Sequence, residues 1–329
     1  MAELTFLAAL QLALREELAR DPRVFLMGED VQCGVFGVTN GLVDEFGPAR
    51  IRNTPIAEAA MTGVGLGAAI AGARPIVEIE FSTMTYIAMD MIVNQAAKTR
   101  YMTAGQATAP MVIRTAICMG FNAGPQHADT PHALFAHSAG LHVAVPGSPR
   151  SARGLLKTAI RSDDPVVFFE HLSLGATKEE VPEEEELIPF GQALVRRPGD
   201  DVTVVAFGGA LPPVLEAAER LAAEGVSIEI IDPQTIVPFD WDAVFASVRR
   251  TGRLVAVDDA LPTCSMASEI CATVAGECFE SLKAAPVKVT RPDVPIPFSV
   301  PLEQHVLLSA DKVVAAVARA TGRSALATV

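Results

Sequence analysis

The chain has 329 residues, half of them hydrophobic, and a formal net charge of −13. Its length predicts about two domains, and its acidic balance excludes nonspecific nucleic-acid binding, because no basic stripe is available to neutralise phosphates. None of the five cysteines forms a C-x-x-C pair, so a zinc site has poor support and a reduced, cytoplasmic setting is expected. Leucines recur at helical spacing through the first twenty residues, which predicts an amphipathic helix there rather than a signal peptide.

Short apolar runs alternate with helical patterns through the first half of the chain. Such alternation is typical of a mostly parallel sheet covered by helices on both faces. The predicted strands are residues 24–27, 75–81, 111–114, 142–146 and 166–169. The predicted helices are residues 42–46, a segment that begins just after Pro55, 84–101 and 150–162.

An acidic segment separates this half from a second α/β pattern. Residues 178–190 predict a solvated linker, because their first nine residues are mostly acidic and include Pro182. The linker divides the chain into domains at residues 1–177 and 191–329, each predicted to contain a mostly parallel sheet with helices on both faces. In the second domain, the predicted strands are 202–207, 226–231, 253–257 and 287–290, and the predicted helices are 211–223, 241–249, 267–282 and 310–320.

One carboxylate stands at the head of an otherwise apolar helix. Pro55 disfavours helical geometry at the residue before it, so the helix is predicted to begin just after it, with Glu58 in the first turn. The rest of this helix is small and apolar, which predicts burial in a core or in a subunit interface. The segment from Gly63 to Gly72 is too short to span a bilayer. Glu58 is therefore either a simple helix-start residue or an isolated functional carboxylate.

Three histidines fall close together in the sequence. His127, His132 and His137 lie within eleven residues, in and after a glycine-containing loop that follows a predicted strand. Their five-residue spacing is not a recognised metal-ligand pattern. A histidine on such a loop suits proton transfer near neutral pH, although a structural, hydrogen-bonded role carries similar weight for His127.

Ten short stretches, spread over nearly the whole chain, form a recognisable set. They are Gly28-Glu29-Asp30, Asn53-Thr54-Pro55-Ile56-Ala57-Glu58, Gly72-Ala73-Arg74-Pro75-Ile76-Val77-Glu78, Ala96-Ala97-Lys98, Gln126-His127, Asp164-Pro165-Val166-Val167-Phe168, Ile231-Asp232, Thr235-Ile236-Val237-Pro238, Thr251-Gly252-Arg253 and Ala267-Ser268-Glu269-Ile270. Together they resemble the beta subunit of heterotetrameric 2-oxo-acid dehydrogenases, the thiamine-diphosphate-dependent first components of the pyruvate, branched-chain and acetoin complexes.

The resemblance implies roles for individual positions. Glu58 matches the glutamate that hydrogen-bonds the aminopyrimidine ring of thiamine diphosphate, and His127 matches a histidine near the reacting carbon. The positions expected around the same ring are Glu29, Ile56, Glu80 and Met84. The positions where some relatives bind a structural potassium ion are Ala159, Ser162 and Asp164.

Half of the cofactor site is missing from the sequence. Thiamine enzymes hold magnesium and the diphosphate with a Gly-Asp-Gly motif followed by asparagine, whereas this chain has Gly199-Asp200-Asp201. The resemblance therefore implies an alpha subunit that holds magnesium, in an α2β2 heterotetramer. It also implies a lipoyl-bearing acyltransferase, or another acyl carrier, as a partner.

The resemblance predicts decarboxylation of a 2-oxo acid on thiamine diphosphate and acyl transfer to a lipoyl domain. Relatives usually follow the histidine with Ser-Gln, whereas this chain has Ala128-Asp129, and its loop at 115–122 contains less glycine. These differences lie where donor and acceptor approach. Two alternatives therefore stay open: two-carbon or acyl transfer to another carrier, from a donor such as a ketose phosphate, and a non-catalytic scaffold for the alpha partner.

Overall fold

Two α/β units make up the structure, a computed structural model that describes residues 1–323. The first unit spans Met1–Phe190, and the second begins at Gly191. Each is built on a sheet of mostly parallel strands flanked by helices, which confirms the predicted α/β class. Within the described residues, no helix combines the length and apolarity needed to cross a membrane.

The first unit is organised by six parallel strands in the order β6-β7-β5-β4-β2-β3. Its strands are β1 (Ala2–Thr5), β2 (Val24–Gly28), β3 (Ile51–Asn53), β4 (Arg74–Phe81), β5 (Val112–Ile117), β6 (His142–Ala144), β7 (Val166–His171) and β8 (Lys178–Val181). Its helices are α1 (Phe6–Arg20), α2 (Leu42–Phe46), α3 (Glu58–Ile70), α4 (Thr99–Met102), α5 (His132–Ala136) and α6 (Pro149–Arg161). Apolar side chains of α1 and α6 pack on one face of this sheet and form a continuous core with its strands.

Helix α3 begins at Glu58, close behind Pro55 as the sequence predicts. One face packs on the sheet, and Gly65 makes this close approach feasible because a Cβ there would lie 2.5 Å from Val77 Cγ2. The opposite face carries the exposed side chains of Val64 and Ile70, and a Cβ added at Gly67 would meet open space. The helix is therefore buried on one side only, and an apolar face is left on the surface of this chain.

The long helix predicted over residues 84–101 is absent from the structure. In its place are a 3-10 helix (Ser82–Tyr86), a π-helix (Asp90–Ala96) and the short α4. Threonine hydroxyls take part in the break, since Thr85 donates to the Ser82 carbonyl and Thr99 to the Gln95 carbonyl. Such side-chain bonds compete with regular helical geometry.

The acidic segment that the sequence predicts to be a linker packs on the first unit. Its start forms β8, which pairs antiparallel with β1 at the N-terminus of the chain. Farther along, Glu185 and Glu186 pair with Arg161 and Arg150 on α6. The sequence showed the acidic charges but not the basic stripe on α6 that they neutralise.

Among the described residues, the second unit has a five-stranded sheet in the order β14-β13-β10-β11-β9, in which only β9 runs antiparallel to its neighbour. Its strands are β9 (Leu194–Arg197), β10 (Val202–Ala206), β11 (Ile228–Asp232), β12 (Thr235–Val237), β13 (Leu254–Val257) and β14 (Val287–Val289). Its helices are α7 (Leu211–Ala223), α8 (Trp241–Thr251), α9 (Met266–Glu277), α10 (Val300–Val306) and α11 (Ala310–Thr321). The short elements β9, β12 and α10 were not predicted, because each offers too few residues to show a period.

A buried guanidinium crosses the middle of the first sheet. Arg114 of β5 pairs with Glu78 of β4, and its Nε and Nη2 atoms lie 2.6 and 2.8 Å from the two carboxylate oxygens of Glu170 in β7. Burial disfavours the charge on Arg114, but the two glutamates together raise its pKa above the ordinary value. Burial also raises the pKa of Glu170, and Arg114 offsets this shift only in part.

Replacing Arg114 tests how strongly the sheet depends on it. Arg114→Met leaves two buried carboxylates without their cation, so we expect a loss of about 3–5 kcal/mol in the free energy of unfolding. Urea denaturation measures this loss. The control is Arg15→Met, which removes a half-exposed ion pair with Glu45 and is expected to cost under about 1 kcal/mol. Similar losses in both variants would contradict the assigned role of Arg114.

Candidate active site at the carboxyl edge of the first sheet

The carboxyl ends of four neighbouring strands bring the predicted site residues to one edge of the sheet. Parallel strands of an open α/β sheet commonly bind ligands at this edge. The side chains that follow the strand ends are Glu29 after β2, Ile56 and Glu58 after β3, Glu80 and Met84 at and after β4, and His127 in the loop after β5.

Two hydrogen bonds hold the ends of β2 and β3 together. The Thr54 amide donates to the Gly28 carbonyl at 2.9 Å, and the Gln32 amide donates to Asn53 Oδ1 at 2.9 Å. Gly28 permits the approach of β4 on its other side, because a Cβ at Gly28 would lie 2.5 Å from the Glu78 carbonyl oxygen. These contacts fix the loop that carries Glu29 against the turn that leads to Glu58.

Carboxylates repel one another at this edge. Burial, followed by the charges of Glu58, Glu80 and Asp30, raises the pKa of Glu29 to about 7. The pKa of Glu80 is also raised, by burial and then by Glu78 and Asp30. Glu58 is only 4% exposed. A group of acids held this close can keep a proton near neutral pH and share it with a ligand.

Two features of the edge fit an aminopyrimidine ring. Glu29 Oε1 is buried and lacks a hydrogen-bond partner among the described residues, so it is available to accept from a ligand N–H group. Ile56 is 81% exposed beside the buried Glu58, so an apolar surface adjoins the acidic one. A flat heterocycle with ring nitrogens and an amino group can use both surfaces.

The turn after β4 holds the loop of His127 in place. Ser82 Oγ donates to the Asp129 carbonyl at 2.6 Å, and the Thr83 hydroxyl donates to the Gln126 carbonyl. The Phe81 ring meets the His127 imidazole edge to face, with 4.4 Å between ring centroids. Met84 belongs to the same turn. The predicted cofactor contact and the predicted catalytic histidine are therefore mechanically connected.

The structure separates the three neighbouring histidines. His132 is fully buried, with its ring 6.3 Å from that of Phe169. His137 is exposed at the end of α5. His127 is half-buried against Phe81. Because the three occupy different surroundings, the structure gives no support to a metal ion shared among them.

The positions that matched a potassium site lie at the end of α6, away from the acidic cluster in the sheet order. Ser162 is the C-cap residue, and its amide donates to the Ala159 carbonyl at 3.2 Å. The Ser162 carbonyl accepts from Arg74 Nη1 at 2.8 Å, and the Asp164 carboxylate pairs with Arg100. Two guanidinium groups therefore contact two of the three positions, and the potassium site stays a prediction.

Sequence reasoning did not identify the residues that support the site. The His127 loop is held by Phe81, Ser82 and Thr83, which lie more than forty positions earlier in the chain. Arg114 pairs beneath the acidic edge with Glu78, the strand neighbour of Gly28. A buried arginine within an apolar strand is a signal in the sequence, because it requires buried carboxylates nearby.

The raised pKa of Glu29 predicts a pH-dependent stability. Between the ordinary pKa of 4.5 and about 7, the unfolded chain ionises Glu29 while the folded chain keeps it protonated. The contribution of Glu29 to the free energy of unfolding is therefore fully present below pH 4.5 and is lost as the pH rises through about 7. We expect the free energy of unfolding of Glu29→Gln to rise relative to that of the parent chain as the pH increases from 4.5 to about 7, as measured by urea midpoints. The exposed substitution Glu45→Gln should show no such trend, and parallel curves for Glu29→Gln and the parent would contradict the shift.

Comparison with known proteins agrees with this geometry. The transketolase pyrimidine-binding domain family matches residues 2–177, and the transketolase C-terminal domain family matches residues 191–313. A solved structure described as a split-gene transketolase, inactive beta4 tetramer, aligns with a TM-score of 0.80 and 25% identity, over 97% of this chain and 98% of that chain.

Full-length relatives are more similar in sequence. The beta subunit of acetoin:2,6-dichlorophenolindophenol oxidoreductase is 43% identical in Cupriavidus necator (95% of this chain, 96% of the relative) and 40% identical in Bacillus subtilis (97% of both). The mitochondrial pyruvate dehydrogenase E1 component subunit beta-1 of Arabidopsis thaliana is 42% identical over 98% of this chain and 90% of its own length. These matches confirm the resemblance: the chain belongs to the family of beta subunits of thiamine-diphosphate-dependent 2-oxo-acid dehydrogenases, within the transketolase-like proteins.

Proposed function

We propose that this chain is the beta subunit of an α2β2 enzyme that decarboxylates a 2-oxo acid on thiamine diphosphate and passes the acyl group to a lipoyl domain. The observation that carries the proposal is the acidic edge of the first sheet, where buried Glu58 lies beside a Glu29 whose pKa is about 7. Relatives named as beta subunits of 2-oxoisovalerate dehydrogenase and of the pyruvate dehydrogenase E1 component, at 38% and 42% identity over nearly the whole chain, support it.

Glu58 is suited to form a hydrogen bond with a ring nitrogen of the cofactor. It lies in the first turn of α3 and is only 4% exposed, so a ring that reaches it meets a carboxyl group that is largely shielded from water. When bound, thiamine diphosphate supplies a carbon nucleophile that attacks the keto group and takes up the electrons released with carbon dioxide. The protein's contribution is to control the cofactor's protonation and orientation.

Other side chains complete the half-site. Ile56 and Met84 offer apolar contact to the ring, and Glu80 adds negative charge beside Glu29. His127 is half-buried and held by its contact with Phe81, and this fixed position supports a role in proton transfer near the reacting carbon. An imidazole suits this task because its ordinary pKa lies near neutrality.

An alpha subunit would supply the remaining half, including the magnesium and diphosphate ligands. The chain lacks a Gly-Asp-Gly motif, and α3 exposes an apolar face that includes Val64 and Ile70, with small residues between them. Small residues allow close helix packing, so this face is a suitable subunit contact. The cysteines among the described residues are all free, in keeping with a cytoplasmic location.

Calorimetric titration of thiamine diphosphate and magnesium tests the division of the site. We expect tight binding when this chain is mixed with its alpha partner, and no tight binding by either chain alone. Tight binding by the isolated chain would show that it contains a diphosphate site of its own. Absence of binding in the mixture would instead favour a non-catalytic scaffold.

Glu58→Gln tests the catalytic assignment directly. The amide keeps the size of the side chain but cannot act as a general acid or base, so we expect turnover by the assembled complex to fall on the order of 10²–10⁴-fold. Reduction of an artificial electron acceptor by a panel of 2-oxo acids and ketose phosphates measures the loss and separates the two donor classes. The control is Glu45→Gln, which alters an exposed surface pair and should retain full turnover. An active Glu58→Gln complex would refute the assignment.

A further inference from the structure

An apolar cavity of about 300 Å³ lies at the same edge of the first sheet. This volume falls at the lower end of the range for small-molecule sites. The residues come from the start of α1, the loop after β2, the ends of β4 and β5, the loop after β5, and the turn after β7. The lining consists of Leu7, Phe36, Phe81, Cys118, Phe121, Ala123 and Leu172.

The cavity shares a wall with the catalytic loop. Phe81 lines it and also meets the His127 imidazole, with 4.4 Å between ring centroids. Ala123 and Phe121 belong to the loop that carries His127. A molecule that reacts beside His127 can therefore extend one substituent past Phe81 toward the cavity.

The lining contains no ionised group. Cys118 is its most polar member, and burial raises the pKa of this thiol to about 12, so it stays neutral. A phosphate or a second carboxylate would lose its hydration here without gaining a counterion or a set of hydrogen bonds. An aliphatic or aromatic group would instead exchange water for close apolar contact.

We propose that this cavity takes the apolar side chain of the donor, so that the preferred substrate is a 2-oxo acid whose side chain is larger than the methyl group of pyruvate. The inference rests on the proposed function, because that function places the reacting carbon beside His127. It goes further by naming the substrate class and the residues that select it. It also disfavours ketose phosphates as donors.

A donor series measures this selectivity in the complete complex of this chain with its alpha partner. The donors are pyruvate, 2-oxobutanoate, 3-methyl-2-oxobutanoate, 4-methyl-2-oxopentanoate and phenylpyruvate, with 2,6-dichlorophenolindophenol as electron acceptor. Each methylene buried in a hydrophobic pocket commonly changes kcat/KM by about tenfold or more. We expect kcat/KM to rise at least tenfold from pyruvate to the branched donors. Equal or higher kcat/KM with pyruvate would overturn the inference and leave the proposed function intact, whereas no turnover of any donor would refute the proposed function itself.

Two variants locate the selectivity in the cavity. Ala123→Leu reduces its volume, so we expect kcat/KM for 4-methyl-2-oxopentanoate to fall at least tenfold more than kcat/KM for pyruvate. Phe121 is 53% exposed, so Phe121→Ala should fold normally and shift preference toward phenylpyruvate. The matched control is Ala19→Leu on the exposed side of α1, which should change neither value. Equal losses for short and long donors in Ala123→Leu, or an unchanged preference in Phe121→Ala, would show that the side chain binds elsewhere.

Discussion

The ion pairs of Arg114 are the constraint on which the first unit depends. One guanidinium holds Glu78 and Glu170 inside an otherwise apolar sheet, across three adjacent strands. Charges taken out of water are tolerated only when they are paired and hydrogen-bonded. Because Glu78 sits opposite Gly28 in the strand register, this network also fixes the strand end from which Glu29 emerges.

The acidic edge above this network reduces the stability of the folded chain. Glu29, Glu58 and Glu80 lie near enough for their charges to repel, and Glu29 keeps one buried oxygen without a partner among the described residues. A sequence selected for stability alone would not be expected to retain such a cluster. A ligand that brings N–H groups to the edge would relieve both the repulsion and the unsatisfied oxygen, which agrees with the cofactor site that we propose.

Local patterns were sufficient to predict much of the fold. Pro55 marked the start of α3, and the buried parallel strands appeared as short β-branched runs. The prediction over residues 84–101 was wrong because apolar periodicity does not reveal that Thr85 bonds the backbone at Ser82. The sequence pattern did not predict that the acidic segment packs on the first unit, because its arginine partners on α6 lie some thirty residues earlier in the chain. Charge pairing across the chain has no periodicity that a sequence pattern could show.

The candidate site likewise contains residues that the sequence predicted and residues that only the structure reveals. Glu58, Glu29 and His127 are predicted site residues because the resemblance assigns them roles, whereas the contacts of their neighbours become visible only in three dimensions. Phe81 shows the difference most clearly. In the sequence it is the last residue of a strand, whereas in the structure it touches His127 on one side and lines an apolar cavity on the other. A side chain in that position can transmit the size of a bound substituent to the imidazole, so substrate selection and proton transfer would be linked through a single aromatic ring.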